Sequence, residues 1–109
     1  MGANAISATG ELVNADGIGN RMAALAFGPK HVIVVAGMNK VEPDLDSAIL
    51  RVKTIAAPMI VLNYSRSEPS SFEELADKAR DSYSQLVITG RSVFKDRVKV
   101  ILVGECLGF

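Results

Sequence analysis

The chain carries one cysteine and one histidine in 109 residues, and these two scarcities exclude much chemistry. Cys106 alone forms no internal disulfide and supplies no cysteine-based metal cluster within one chain. A serine–histidine–acid triad would have only His31 to build on. His31 stands at the mouth of an apolar strand, where a structural or solvent-facing histidine is the commoner role. No apolar run approaches the roughly 18 residues of a membrane span, and the N-terminus lacks a basic-then-apolar signal. Net charge is absent as well, because 12 lysines and arginines balance 12 aspartates and glutamates. No basic field favours nucleic acid, and no block of like charges suggests a tail. The expectation is a soluble, cytoplasmic protein without nucleic-acid or membrane partners, bound metal or cofactor.

What the chain does have is apolar content. Hydrophobic residues make up 49% of it, so a packed core is expected and disorder is not. The length suits one domain, 1–109, with no room for a second. A neutral chain this apolar is poorly protected from self-association, which favours a homo-oligomer.

Polar chemistry concentrates between Asn4 and Arg21. Asn4 to Ser7 and Glu11 to Asn14 read as two short strands, with Thr9-Gly10 turning between them. Asp16-Gly17-Ile18-Gly19-Asn20-Arg21 follows, then the helix-forming run Met22 to Ala26. Glycines let a backbone approach a ligand closely, and a helix's first turn leaves N–H groups free for an anion. The same residues also read as a plain turn at Asp16-Gly17 and a plain helix cap at Asn20. The dinucleotide fingerprint is not met, since its third glycine would fall at Met22.

Further along, Arg21 to Phe27 reads as two turns of helix stopped by Gly28-Pro29. His31 to Ala36 is a β-branched run, apolar on both faces, expected in the middle of a sheet with helices on either side. Gly37-Met38-Asn39-Lys40 follows it, where ligands meet an open α/β sheet; Lys40 is either an anion-holding residue or an ordinary exposed lysine. A helix starts at Glu42-Pro43-Asp44 and carries a core stripe of Leu45, Ala48, Ile49, Val52 and Ile55. Arg51 and Lys53 lie near its C-terminal end, where cations suit the dipole. Ala56-Ala57-Pro58 is expected to end it, and Met59 to Leu62 to form a buried strand.

Asn63 to Ser71 reads as a loop. Two overlapping capping boxes, Ser70 with Glu73 and Ser71 with Glu74, open a helix to about Tyr83. Its expected inner face is Phe72, Leu75, Ala76 and Ala79. Gln85 to Thr89 and Arg97 to Val103 read as strands, with a turn between them. Helices and strands interleave, which points to a three-layer α/β sandwich with a mostly parallel sheet. Beyond the last strand, Glu105 is either an acid/base or nucleophilic group or a surface glutamate. Cys106 is more often a buried small apolar group than a reactive thiol.

Several of these pieces together resemble one family. Asn4-Ala-Ile, Asp16-Gly-x-Gly-Asn-Arg21, Gly28-Pro29, Val32-Ile-Val-Val, Gly37-x-Asn-Lys40, Ala56-Ala-Pro58 and Val100-Ile-Leu-Val-Gly-Glu-x-Leu-Gly-Phe109 look like the lactate-utilisation (LUD) domain family. The resemblance implies a fold like that of the ribose-phosphate isomerase, glucosamine-phosphate deaminase and CoA-transferase group. It also implies a link to oxidation of lactate to pyruvate in multi-subunit systems. A complete domain of this family is close to twice as long, so the resemblance implies that an N-terminal part is missing. The chain would then be a fragment, or a half-domain completed by another chain. Many short family members carry several cysteines between the Ala-Ala-Pro segment and the last strand, and this chain has none there.

Carried over by motif, the candidate binding residues are Asn4, Gly17, Gly19, Asn20, Arg21, Asn39 and Lys40, with Asp16 and Glu105 as candidate catalytic acid/base groups. Arg21 would hold a carboxylate or phosphate, Lys40 would add positive charge, and the glycines and Asn20 would supply backbone donors. The implied partner is a small anionic metabolite. The alternatives are an enzyme on a carboxylate, CoA or sugar-phosphate substrate using Glu105, or a half-domain acting only through protein association.

Overall fold

A computed structural model describes residues 1–65 and 68–109, so part of the expected Asn63 to Ser71 loop lies outside the described residues, and its first two residues are the end of a helix. The expected hairpin forms. Strand β1 (Ala5–Ser7) runs antiparallel to β2 (Leu12–Asp16), pairing Ala5 with Val13 and Ile6 with Leu12. Gly10 makes the turn with φ +103°, a conformation that favours glycine. Helix α1 (Asn20–Ala26) follows, then β3 (Val32–Gly37), a 3₁₀ turn (Met38–Lys40) and the short β4 (Val41–Glu42). A long helical segment comprises α2 (Leu45–Arg51), a π-helical stretch (Val52–Ala56) and α3 (Ala57–Tyr64). Helix α4 (Phe72–Asp81), β5 (Gln85–Thr89) and β6 (Val98–Val103) complete the described elements.

The strands form two sheets. One has the order β4-β1-β2-β5, with β1–β4 parallel and both β1–β2 and β2–β5 antiparallel. The other is the parallel pair β3–β6. The class is α/β as expected, but the sheet is mixed rather than mostly parallel. Strand alternation divides the four-stranded sheet's two faces. Ala5, Val13 and Ala15 pack against Ala48 and Val52 of the long helical segment. Ile6 and Leu12 face the other way, onto Met22 and Leu25 of α1 and Val32, Val34 and Ala36 of β3.

Several expectations are corrected. Ala56-Ala57-Pro58 does not stop the helix. The helical path runs on through a π-helical stretch directly before Pro58, and the wider turn makes room for a residue without an N–H. Met59 to Leu62 is consequently helix, with Ala57 and Val61 buried one turn apart against Ala79 of α4. A four-residue apolar run carries no period long enough to separate the two states. Strand β3 does not lie mid-sheet between helices. It alternates, with Val32, Val34 and Ala36 inward and Ile33 and Val35 52% and 41% exposed.

Asn20 does not cap α1; the cap is Gly19, in the left-handed region, with no side-chain cap bond. Helix α4 turns Leu75 and Ala79 inward but leaves Phe72 and Ala76 exposed. Ile55, at the end of the expected stripe, is also exposed. Cys106 is exposed rather than buried. Among the described residues, no helix is long and apolar enough to cross a membrane.

Candidate functional site

The hairpin places two buried asparagines side by side. Ala15 N–H donates to Asn4 Oδ1 at 2.9 Å, and Asn4 N–H donates to Asn14 Oδ1 at 3.3 Å. Each amide thereby pairs a backbone N–H at a break in the β1–β2 ladder. From Asn14 the strand leads to Asp16, also buried. Its carboxylate folds back on the loop, accepting from Gly17 N–H at 3.1 Å and Arg21 N–H at 3.2 Å. Gly19, at φ +86°, lets the chain turn into α1. Asp16 therefore holds two of the backbone donors that the glycine loop was expected to offer an anion. Asn20 is exposed at the start of α1.

Arg21 points back along β2. Its Nη2 donates to Ala15 C=O at 2.8 Å, and its Nε lies 3.8 Å from Asp16 Oδ1. Its side chain remains 37% exposed and helps line a cavity of about 170 Å³ with Asn4, Asp16, Gly17, Ile60 and Tyr83.

Arg51 was not among the candidate residues, yet it joins this region. It is buried, donating from Nη1 to Asn4 C=O at 2.7 Å and from Nε to Asn39 C=O at 3.1 Å. Asn39 in turn holds the C-terminal tail, donating from Nδ2 to Gly108 C=O and accepting from Leu107 N–H. In the sequence, Arg51 looked like a dipole-complementing cation. The available signal was its position three residues after Ala48, on the helix's buried side. Asn14 was missed similarly, although a polar residue between Val13 and Ala15 had to find a partner inside the sheet.

Lys40 completes the cationic group. Burial is the main cause that pulls its ammonium below the usual lysine range, followed by the charges of Arg51 and Arg21. Burial also lowers the Arg51 guanidinium, opposed by the charge of Glu42. Among the described residues, no carboxylate forms a salt bridge with Lys40 or Arg51. The two candidate catalytic acids are apart in the fold. Asp16 ends β2 of the four-stranded sheet, whereas Glu105 follows β6 of the other sheet and is exposed. No hydrogen bond joins them among the described residues. No group of three or more histidine, cysteine or acidic side chains suited to a metal occurs among those residues either.

The fold and site thus define an α/β protein with a hairpin, a glycine loop and three basic side chains grouped beside buried asparagines. The description of the LUD domain matches residues 1–103, and the chain belongs to the LUD domain family. Searches of curated proteins and of solved structures found no match.

Proposed function

We propose that the protein binds a small anionic metabolite of the lactate or pyruvate kind and supports oxidation of lactate to pyruvate as a subunit. The family's association with lactate utilisation supports the process. The carrying observation for the ligand is Lys40, half-buried, with Arg51 and Arg21 near enough to lower its basicity and, among the described residues, no carboxylate bridging it. An anion entering beside these cations would relieve their mutual repulsion. Arg21 would present a guanidinium edge to a carboxylate, while Lys40 acts as a compact charge.

Thermal unfolding against lactate, pyruvate, phosphate, sugar phosphates and CoA esters tests this reading. A ligand bound only by the folded state stabilises it by about 2.7 kcal/mol at a hundredfold excess over its dissociation constant. The shift should be largest for lactate or pyruvate and should vanish in Arg21→Ala. No shift from any anion, across a cooperative transition, would end the proposal.

A second reading, association through the chain's own sheet edge, has a specific observation behind it. Among the described residues, strand β6 pairs with β3 alone, and Val100, Ile101 and Leu102 are each 42–50% exposed. Val32 N–H donates to Arg97 C=O. The parallel pattern then turns the backbone groups of Val98, Val100 and Leu102 away from β3. A free apolar edge of this kind seeks a partner strand.

A further inference from the structure

At the opposite end of α1 from the Asp16 loop lies a larger cleft of about 710 Å³. That volume falls within the range of roughly 300–1,000 Å³ common to ligand sites. One wall is the end of α1 with the Phe27-to-Lys30 segment, and the other is β5 with the loop leading to β6. Arg97 ties these walls together. Its guanidinium donates to Pro29 C=O at 2.9 Å, Leu25 C=O at 2.7 Å and Ala24 C=O at 2.9 Å. It thus satisfies carbonyls at the end of α1 and fixes the cleft's width.

The lining has an unusual balance. Leu25, Val87 and Val98 form an apolar floor, and Phe27, Val93 and Phe94 rise from the two loops with 71–89% of their surface exposed. Four bases line it, Lys30, Arg91, Lys95 and Arg97, and no aspartate or glutamate does. Asp96 lies between two of these bases in sequence but does not line the cleft. In a chain of zero net charge this is a local excess of one sign. Arg97 is engaged as the strut, whereas Lys30, Arg91 and Lys95 form no salt bridge among the described residues. Hydroxyl groups are few, and Ser92 Oγ already donates to Phe94 C=O. The walls therefore suit neither a sugar nor a nucleoside.

We infer that this cleft is a second binding site, distinct from the Arg21 region, for a single-chain amphiphilic anion. An acyl chain would lie over the apolar floor and under the two phenylalanines. Its carboxylate, sulfate or phosphate head would sit among Lys30, Arg91 and Lys95. Burying the chain supplies the affinity, and the one-signed rim selects an anionic head over a neutral one.

Calorimetric titration of the whole chain with decanoate, kept below its micelle-forming concentration, tests the inference, with decanol as the neutral control. The expected result is one decanoate per chain, bound about tenfold more tightly than decanol and more weakly at high salt. Lys30→Glu combined with Lys95→Glu should weaken decanoate about tenfold, and Val93→Asp should weaken both probes. These side chains are exposed, so unfolding temperatures should stay unchanged and the losses should report binding. Arg21→Ala should leave decanoate binding intact. The inference is overturned if decanoate does not bind, if decanol binds equally well, or if binding follows Arg21 instead of the cleft residues.

Discussion

Asn4 shows how one polar residue can serve two parts of the fold. Its Oδ1 accepts from Ala15 N–H and its own C=O accepts from Arg51, so it links the β1–β2 break to the cationic group. Removing the amide leaves a buried N–H without a partner, which costs about 1–3 kcal/mol. Asn4→Ala is expected to lower stability by that amount in chemical denaturation. Lys40 should behave oppositely. A lysine with a depressed folded-state pKa binds fewer protons folded than unfolded at pH just below the ordinary lysine value of 10.5. Stability therefore rises as pH increases through that window. Lys40→Met is expected to remove this slope, raise stability at neutral pH and weaken anion binding, as measured by unfolding across pH with and without pyruvate. At Gly37 the constraint is close approach, because φ is an ordinary −72°. An added Cβ would meet Asn39 Oδ1 and would lie 2.5 Å from both Glu105 O and Leu107 N. Gly37→Ala is expected to displace the C-terminal tail, seen as faster hydrogen exchange at Leu107.

Among the elements, α4 was the most legible at its start. Ser71 caps it as expected, its Oγ accepting from Glu74 N–H, and Ser71→Ala should cost about 1 kcal/mol. The Ser70 box closes differently. Glu74, not Glu73, reaches back to the Ser70 N–H and hydroxyl. The Ser70 hydroxyl, then its N–H, then Lys78 pull the Glu74 carboxyl from its ordinary 4.5 to about 2. The stabilisation is present above pH 4.5 and is lost as pH falls toward about 2. In Glu74→Gln, the acid limb of the stability profile should be flatter. The α2–α3 segment was least legible. Proline reads as a stop, but a wider π turn before it admits it to a continuing helical path. No local residue announces that turn.

At the scale of the molecule, pairing through the β6 edge is the expected behaviour in solution. The outward backbone groups of Val98, Val100 and Leu102 suit antiparallel pairing with a second copy, Val100 facing its own equivalent and Val98 facing Leu102. In that register Lys99 faces Ile101, and the zero net charge adds no repulsion between copies. Light scattering should show a dimer that dissociates on dilution. Val100→Pro removes an edge N–H that β3 does not use, so it should yield a folded monomer. A wild-type chain that stays monomeric at high concentration would exclude this pairing.

The hairpin at Thr9-Gly10, the helix starts at Asp44 and Ser71, and the strands Gln85 to Thr89 and Val98 to Val103 were legible in the sequence. Each depends on turn, cap or period signals that act within a few residues. The family was legible too, because its motifs are short and local. Tertiary structure alone decided that Met59 to Leu62 is helix and that, among the described strands, β3 pairs with β6 alone. It also decided that Asp16 closes on its own loop while Arg51 enters the cationic group. These outcomes depend on which distant surfaces meet: burial and hydrogen-bond partners are properties of the assembled layers, and no short stretch of chain encodes them by itself.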